Sequence, residues 1–532
     1  MSVLWGDKAL HREEGGSGYR APVPSRARNW LTPVAWVAAV TAVLLLVFPV
    51  GFPNYDTIYA LVWGRELADG LGLDYGAALP PTPHPLTDLL GLVTAPLGDG
   101  AIDVTMAIAY ASMGLICFFV YRLGSLWFDR PIGAVAALIV LTRAPYISNG
   151  LRAYIDLPYI ALCLAALLVE TKRPRAGWPV LALLALAGLL RPEAWLFSVA
   201  YLVYLLLDPA SSFRQGGPEE EGRAPLERAD TQSAGLIRPA LVRARGALLS
   251  SHGIALAALA LAAPILWALF DWATAGSPTY SFTGTRETVE TLERQTGPVD
   301  LFRYGARRVG EVLQWPGTVG AAGGVAFALV FLRRRSQIGL GAAALALGAF
   351  AVLACAGLAI IPRYTMLAAA VLAVFAGLAL LGWRLLERDH PWRRAWQAFA
   401  AVIALMFVAW GPNQYDLLHR ADVDLTNQGE IESDLSDLAD TGAFEPLCGR
   451  ISVPNHRAVP RLAFNLDLKP TAIVSSSEQR QPRRGYFLDP ASAFVVHNFV
   501  LDPRDPARPT TIVPPGFRQV ARNESWVLYR RC

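Results

Sequence analysis

The sequence predicts a polytopic α-helical membrane protein with about eleven transmembrane helices, followed by a small α+β domain. Of the 532 residues, 54% are hydrophobic and 17% are charged, whereas soluble domains have roughly 25% charged residues. Several apolar runs approach the ~20 residues that an α-helix needs to cross a bilayer. The segment 412–532 is instead polar and long enough to form a small domain of its own.

The first apolar run, 31–50, follows a polar tail at residues 1–29 that is expected to be disordered and cytoplasmic. The run is too long for a signal-peptide core and lacks a clear cleavage site, so it is interpreted as a retained span. One helix across 178–207 would bury Arg191 and Glu193 at mid-membrane, so a hairpin is preferred there. Further spans are expected at about 103–120, 132–148, 156–169, 178–207 (as two helices), 252–271, 316–332, 338–361, 365–383 and 396–411.

The distribution of basic residues predicts the orientation, to which the net charge of +4 adds little. Lys and Arg cluster in the N-terminal tail and at 172–175, 333–335 and 384–394, on one side of an eleven-span chain. Positive residues favour the cytoplasmic side. The protein is therefore expected in the plasma (inner) membrane, with its N-terminus in the cytoplasm and the C-terminal domain outside the cytoplasm.

The segment 51–100 is too polar to cross a bilayer and too regularly patterned to be a slack tether. Its apolar residues recur at helical spacing and predict two amphipathic helices on the outer membrane face, from Ile58, Leu61 and Val62 and from Leu86, Leu89, Leu90 and Val93. Asp56 lies at the start of the first helix. A carboxylate there could be a catalytic base or a helix N-cap, and the spacing leaves both open.

Other polar segments reach the same outer face. They are the turn 149–156, the turn at Arg191, the segment 272–315 with an amphipathic helix near 299–313, and the turn at Arg363. Residues 208–250 lack hydrophobic periodicity and are expected to form a loose loop. The repeated placement of polar residues at one face is the main functional indication from the topology.

The domain 412–532 is expected to contain a helix at 426–441 and strands at 472–474, 493–496 and 525–529. Its cysteines, Cys448 and Cys532, are expected to form a disulfide because the outer compartment is oxidising, two unrelated thiols being the alternative. The sequence contains no GxxxxGK[ST], HExxH or CxxC motif. Cytosolic nucleotide chemistry and structural zinc therefore have no support.

The order of these motifs resembles the GT-C superfamily of membrane glycosyltransferases, in particular the bacterial branch of protein O-mannosyltransferases and lipid A aminoarabinose transferases. The segments that carry the resemblance are Asp56 with Tyr59 or Ala60, 67–70, 83–86, 154–159, 188–193, 276–280 and 362–364. They lie within 31–411, and the C-terminal domain shows no comparable resemblance. Two segments, Pro83-His84-Pro85 and Met366-Leu367, depart from the motifs of this family. These departures bear on the identity of the sugar donor more than on the class of reaction.

The resemblance implies a GT-C-like transmembrane domain at 30–411 that transfers a sugar from a polyprenyl-phosphate donor to an acceptor hydroxyl on the extracytoplasmic face, with inversion if transfer is direct. The acceptor could be a glycan, a lipid or a protein. Membrane lipid is a further partner, no nucleic acid is expected, and a divalent metal is possible. The alternative is a lipid or sugar transporter or flippase, which would bind its substrate near the midplane on broken helices.

Candidate site residues follow from the chemistry of this reaction. Carboxylates can accept the proton of the acceptor hydroxyl, and arginines match phosphate oxygens. The candidates are Asp56 and Asp156 for catalysis, Arg363, Arg191 and Arg152 for the donor phosphate, and Tyr59, His84, Glu193 and Tyr364 for substrate binding. The alternatives are arginines that snorkel at helix ends, a packing role for His84, and interface aromatics for the tyrosines.

Overall fold

The computed structural model describes residues 31–207, 250–501 and 512–532. The expected N-terminal tail and nearly all of the expected loop 208–250 lie outside these ranges. The helices of the first range are α1 (Leu31–Val47), α2 (Tyr55–Ala68), α3 (Pro85–Thr94), α4 (Gly100–Trp127), α5 (Arg130–Leu141), α6 (Ala144–Leu151), α7 (Asp156–Lys172), α8 (Trp178–Gly188) and α9 (Glu193–Leu206). The next helices are α10 (Ser251–Ala275), α11 (Tyr280–Thr291), α12 (Gly297–Phe331), α13 (Arg333–Cys355), α14 (Met366–Leu381), α15 (Arg393–Ala409) and α16 (Gly411–Asp440).

The chain is a multi-pass membrane protein by the length and composition of its helices. Within the described ranges, 5 helices are long and apolar enough to cross a membrane, or up to 7 spans if the bent pairs α5–α6 and α15–α16 each count as one. The predicted hairpin is present, since α8 and α9 are separate helices of 11 and 14 residues. Both are shorter than a full span, and the expected count of eleven is not confirmed.

The helix α14 lies at the centre of the transmembrane bundle and is buried along nearly its whole length. Small residues allow its neighbours to approach closely. A Cβ added at Gly324 of α12 would lie 1.8 Å from the carbonyl oxygen of Phe375 in α14, so only glycine fits at this crossing. The start of α14 is thereby fixed, and the short 3₁₀ turn Pro362–Thr365 before it carries Arg363.

The helix α12 changes direction at Gln314, whose backbone has φ 62 and ψ 168. Pro316 follows and has no N–H to continue the helical ladder. The side-chain oxygen of Gln314 accepts hydrogen bonds from Nη1 of Arg143 at 2.8 Å and from Nε1 of Trp410 at 3.0 Å, which hold the bend. The part before the bend includes the amphipathic helix expected near 299–313.

The C-terminal domain begins on α16 and contains a five-stranded sheet in the order β2-β1-β3-β5-β4. The strands are β1 (Arg450–Val453), β2 (Ile473–Ser475), β3 (Gly485–Pro490), β4 (Arg518–Arg522) and β5 (Trp526–Arg531), with the helix α17 (Ala458–Asn465) between β1 and β2. Strand β1 is parallel to both β2 and β3, whereas β5 is antiparallel to β3 and β4. Cys448 and Cys532 form a disulfide with Cα atoms 5.6 Å apart, the pairing expected from the sequence.

The strand expected at 493–496 is wrong. This segment is helical, as Ala493–Val495 followed by the π-type turn Val496–Val500. Val495, Phe499 and Val500 are all buried. Their spacing of four and five residues places them on one side of a helical segment, and burial of that side against the domain core overrides the β-propensity of the valines.

The helix α2 does not lie on the membrane surface, which corrects the expectation for the first of the two helices in the segment 51–100. Its residues Ile58, Leu61 and Val62 are buried in one apolar core with Ile431 and Val453 of the C-terminal domain. The amphipathic pattern is real, but the apolar face is covered by protein rather than lipid. The domain and the first outer segment therefore share a core.

Polar contacts join the end of α2 and the segment after it to the C-terminal domain. Arg65 donates to the carbonyl oxygens of Ala463 and Phe464 at 2.8 Å each and forms an ion pair with Asp467 at 2.9 Å. Farther along the chain, Asp74 accepts hydrogen bonds from the backbone N–H and hydroxyl of Thr471. The C-terminal end of α2 and the segment after it are consequently fixed relative to the C-terminal domain.

Candidate active site

A cavity of about 540 Å³ lies where the polar segments between the apolar helices meet the C-terminal domain. It is lined by residues from the first turn of α2, the loop before α3, the α8–α9 turn, α10, α11, the turn before α14, and the C-terminal domain. Most of the predicted site residues reach it, namely Asp56, His84, Arg191, Glu193, Arg363 and Tyr364. Residues that are about 400 positions apart in sequence, such as Tyr55 and His456, therefore contribute to one site.

Asp56 is not the N-cap of α2. Asn54 caps the helix, and its side-chain oxygen accepts hydrogen bonds from the backbone N–H groups of Asp56 and Thr57. The side-chain amide of Asn54 donates to the carbonyl oxygen of Arg152 at 2.8 Å, and the Thr57 hydroxyl donates to that of Ala153 at 2.8 Å. These bonds tie the start of α2 to the turn before α7 and leave the Asp56 carboxylate available to the cavity.

Arg363 faces Asp56 across the cavity. Its Nη1 atom lies 3.6 Å from Oδ2 of Asp56, and the two side chains are 25% and 29% exposed. This distance is longer than a direct hydrogen bond. The Nε atom of Arg363 is buried without a hydrogen-bond partner in the described part of the chain. The guanidinium group thus has donors available for a further anion.

Arg191 is held more tightly than Arg363. Its Nη1 lies 2.8 Å from Oδ1 of Asp156, and its Nη2 lies 3.0 Å from Oε1 of Glu193. The guanidinium carbon stands 4.3 Å from the ring centroid of Tyr364. All three charged side chains are buried. Two carboxylates already compensate this cation, so its main effect is to fix the turn before α9 and the position of Asp156.

His84 lies at the start of α3 and lines the cavity with its ring edge-on to Trp267 at 5.4 Å between centroids. Burial, together with the nearby guanidinium groups of Arg191 and Arg363, lowers the pKa of His84 to about 3. The ring is therefore neutral at physiological pH. Its Nδ1 atom is buried and unpartnered among the described residues.

Three predicted site residues, Arg152, Tyr59 and Asp156, do not line the cavity. Arg152 points to the other side of its turn, where it bonds the side chains of Ser148 and Gln428 and lies over the ring of Phe52. Tyr59 is fully buried in the core shared with the C-terminal domain. Asp156 does not line the cavity and touches it only through Arg191. The phosphate and substrate roles expected for Arg152 and Tyr59 do not fit these positions.

The sequence reasoning missed other polar residues at the cavity. Asp271, at the end of α10, accepts hydrogen bonds from the backbone N–H and the hydroxyl of Ser281, at 2.9 and 2.7 Å. The sequence does carry a signal for Asp271, because it is a carboxylate at the end of an apolar run. His456, from the C-terminal domain, lines the cavity beside Tyr55. No local pattern marks this histidine, because it comes to the site only through the fold of the domain.

The carboxylates at the cavity do not form an evident metal site. Among residues 31–207, 250–501 and 512–532, no three His, Cys, Asp or Glu side chains converge as ligands. Asp56 has a guanidinium group beside it, which repels a cation, and Asp156 is engaged with Arg191. The donor set present does not fit a divalent metal.

Solved structures provide the comparison with known proteins, since no family model and no curated protein matches the sequence. The structure of ArnT from Cupriavidus metallidurans bound to undecaprenyl phosphate matches with a TM-score of 0.51 at 16% identity, over 95% of this chain and 98% of that chain. This chain has the fold of ArnT. This shared fold agrees with the expectation of a helical membrane protein that ends in a small C-terminal domain.

Other matched structures have lower scores. ArnT from Cupriavidus metallidurans in the apo state gives a TM-score of 0.48 at 15% identity, with 95% and 98% of the two chains covered. The archaeal oligosaccharyltransferase AglB from Archaeoglobus fulgidus, in complex with an inhibitory peptide and a dolichol-phosphate, gives 0.46 at 10% identity, with 92% and 76% covered. The 95% match to ArnT with undecaprenyl phosphate exceeds the range 31–411 in which the motifs lie, so the fold shared with ArnT includes part of the C-terminal domain.

Proposed function

We propose that this protein is a glycosyltransferase that moves a sugar from a polyprenyl-phosphate donor to an acceptor hydroxyl on the extracytoplasmic face. The observation that carries the proposal is the pairing of Asp56 with Arg363 at 3.6 Å on the wall of one cavity. Glycosyl transfer from a lipid phosphate is served by a carboxylate that receives a proton and a cation that stabilises the leaving phosphate. ArnT, whose fold the chain shares, has been solved with undecaprenyl phosphate bound.

Arg363 is the candidate for the donor phosphate. Its guanidinium group is loosely paired and has an unpartnered Nε in the described structure. Arginine binds phosphate oxygens through two parallel hydrogen bonds, which fixes the leaving group as well as its charge. Arg191 cannot turn in the same way, because Asp156 and Glu193 hold it from two sides, and it supports the site as a fixed cation.

Asp56 is the candidate base for the acceptor hydroxyl. The oxygen of that hydroxyl attacks the anomeric carbon, the bond from this carbon to the phosphate oxygen breaks, and the proton passes to the carboxylate. The phosphate leaves with the bonding electrons and is stabilised by Arg363. A single displacement of this kind inverts the configuration at the anomeric carbon. Asp156 is assigned to position Arg191, instead of the direct catalytic role expected for it.

The rest of the cavity suits an isoprenoid substrate. Beside the charged groups it has an apolar wall formed by residues of α9, α10, α11 and α13, which include Trp195, Leu196, Pro264, Phe282, Val352 and Leu353. An apolar wall next to a phosphate-binding cation matches an amphipathic lipid phosphate. A carrier would need no carboxylate next to the phosphate site, so this arrangement favours transfer chemistry over a transporter or flippase.

The location of the reaction follows from the topology that the basic residues favour. With the Lys and Arg clusters on the cytoplasmic side of the plasma membrane, the cavity and the C-terminal domain lie on the outer face. The boundary near residue 412 separates the membrane part from the C-terminal domain, and both parts contribute residues to the cavity. A reporter fused after Cys532 should then be active only in the extracytoplasmic compartment, and cytoplasmic activity would contradict this orientation.

The proposal is tested with purified protein and a panel of undecaprenyl-phosphate sugars that includes hexoses and pentoses. Consumption of one donor and release of undecaprenyl phosphate are expected, together with inversion in any glycoside formed. Arg363→Ala should abolish consumption, whereas Arg307→Ala, at an exposed position outside the cavity, should not. A wild-type protein that binds undecaprenyl phosphate but consumes no donor in the panel would count against transfer chemistry.

A further inference from the structure

A residue of α12 holds both ends of the turn that carries Arg363. Arg308 lies in the part of α12 before the bend. Its Nε atom donates to the carbonyl oxygen of Ile360 at 2.9 Å, just before the turn. Its own backbone carbonyl accepts a hydrogen bond from the hydroxyl of Thr365 at 3.3 Å, at the end of the turn. The side chain and the main chain of Arg308 therefore bracket the segment that presents Arg363.

Gln295 supports the same segment. Its backbone carbonyl accepts the N–H of Ile360 at 2.9 Å, and its side-chain oxygen accepts a hydrogen bond from Nη2 of Arg308 at 2.7 Å. Both backbone polar groups of Ile360 are thus bonded, one to Gln295 and one to Arg308. Next to Gln295, the hydroxyl of Thr296 donates to the carbonyl oxygen of Leu358 at 3.0 Å. The backbone that leads into the turn is consequently fixed by several hydrogen bonds.

Glu311 keeps the guanidinium group of Arg308 in this orientation. Nη1 of Arg308 lies 2.8 Å from Oε2 and 3.1 Å from Oε1 of Glu311, and the side chains are 19% (Arg308) and 30% (Glu311) exposed. All three nitrogens of the guanidinium group therefore have partners, in a planar fork that an ammonium group cannot reproduce. Arg308 does not line the cavity, so this arrangement holds protein and not substrate.

The side chain of Arg363 has looser contacts than the turn that carries it. Its Nη1 lies 3.6 Å from Asp56, and its Nε is buried without a partner in the described part of the chain. The guanidinium carbon lies 5.4 Å from the ring centroid of Tyr154 and 5.5 Å from that of Tyr364. The place of the guanidinium group in the cavity is therefore set largely by the backbone of the turn. A binding residue is only as precise as the groups that support it.

We infer that Arg308 is a positioning residue for the donor phosphate, which it serves by fixing the turn that presents Arg363. The inference rests on the proposed function and names a residue outside the cavity on which the donor site depends. Two parallel hydrogen bonds from one guanidinium group to a phosphate require both nitrogens in place. Displacement of the turn should therefore weaken binding of the phosphate, while the apolar wall formed by α9, α10, α11 and α13 keeps its contacts with the isoprenoid chain.

The test is a double-mutant cycle on the affinity for undecaprenyl phosphate, with Arg308→Gln measured alone and in the Arg363→Ala background. Arg308→Gln removes the charge and the donor that bonds Ile360. Alone, it should raise the Kd by about tenfold, a coupling found between residues that share one hydrogen-bond network. In the Arg363→Ala background, where the apolar wall supplies the remaining affinity, it should change the Kd by less than about twofold, because the residue it acts through is absent.

Arg307→Gln is the matched control. The Nε atom of Arg307 lies 2.9 Å from Oε1 of Glu311, and its side chain is 71% exposed. This variant loses an ion pair with the same carboxylate but no bond to the turn, so it should bind undecaprenyl phosphate as wild type. Arg308→Lys keeps the charge and a donor and should restore part of the affinity.

Thr365→Val examines the other end of the turn with little change of side-chain volume. It removes the hydroxyl that bonds the backbone carbonyls of Arg308 and Pro362. We expect the same pattern as for Arg308→Gln, with a weaker affinity in the wild-type background and no further loss in Arg363→Ala. Thermal unfolding of each preparation shows that the variant is folded.

A folded Arg308→Gln protein that binds undecaprenyl phosphate as tightly as wild type would overturn the inference. An equal rise of the Kd in both backgrounds would give Arg308 a general structural role and overturn it as well. If Arg308→Gln does not fold, Thr365→Val decides by the same two criteria. A wild-type protein that binds the lipid and consumes a donor keeps the proposed function in each of these cases. A wild-type protein that does not bind undecaprenyl phosphate refutes the donor assignment and the inference together.

Discussion

Asp56→Asn separates the structural and chemical roles of the residue proposed as the base. The exchange keeps the size of the side chain and removes its charge. The N-cap bonds of α2 come from Asn54 and are unaffected. What is lost is the interaction with the helix N-terminus, about 0.3–1 kcal/mol, and the ion pair with Arg363. That pair is 3.6 Å long with both side chains more than a fifth exposed, so it contributes about 1 kcal/mol or less.

The expected loss of stability is therefore about 2 kcal/mol at most, which for a chain of this length shifts the melting temperature by a few degrees. The expected loss of activity is much larger. Removing a general base typically costs ~10²–10⁴ in rate, equivalent to about 3–5 kcal/mol of transition-state stabilisation. The two effects differ enough to be separated in one experiment.

The assay is turnover of the undecaprenyl-phosphate sugar at saturating donor, with thermal unfolding measured on the same preparation. Asp69→Asn is the matched control, since Asp69 is exposed at the opposite end of α2 and caps it only through its backbone. We expect the control to keep wild-type turnover. Near wild-type turnover in Asp56→Asn, at an unchanged melting temperature, would refute the reasoning and remove Asp56 from the mechanism.

Three further predictions follow from individual contacts. Arg363→Lys should weaken undecaprenyl phosphate binding by roughly tenfold or more, because a bidentate charge-assisted contact is lost, while Arg307→Lys should bind as wild type; equal affinities would contradict the assignment. Replacing Cys448 and Cys532 together by serine should lower the stability of the domain by up to ~4 kcal/mol, seen as earlier unfolding, and an unchanged transition would contradict it. The pKa of His84, lowered from 6.5 to about 3, gives stability that is fully present above pH 6.5 and is lost as the pH falls toward 3; His84→Gln should flatten this part of the pH profile of the melting temperature, and an unchanged slope would contradict it.

The membrane class, the α2 and α3 helices, the hairpin at Arg191 and the disulfide could be predicted from the sequence because each has a local signal. Ile58, Leu61 and Val62 indicate a helix wherever the apolar face is buried. The same spacing cannot tell lipid from protein as the covering partner, which is why α2 was expected on the membrane. Its partner is a core whose residues begin at Ile431, nearly 400 residues later.

In the candidate site, too, some features have a local sequence signal and others depend on distant partners. Asp56, Arg191 and Arg363 carry local signals, because charged residues between apolar runs mark turns and the motif order marks the outer face. Their individual roles depend on partners that spacing does not show. Arg191 is compensated by two carboxylates and Arg363 is not. Arg152 has the same kind of turn position but lies outside the cavity, since the direction of a side chain at a turn is set by packing.

The charges of the site suggest why Asp56 and Arg363 are only loosely paired. The ionisable side chains Asp56, Asp156 and Glu193 face Arg191 and Arg363, so the carboxylates outnumber the arginines before any substrate is bound. A phosphate adds a further negative charge and can be accommodated only if a cation turns toward it. Arg191 is fixed by direct hydrogen bonds, whereas Arg363 is not. We therefore expect the donor to draw Arg363 away from Asp56, which leaves the carboxylate oxygen to receive the acceptor hydroxyl.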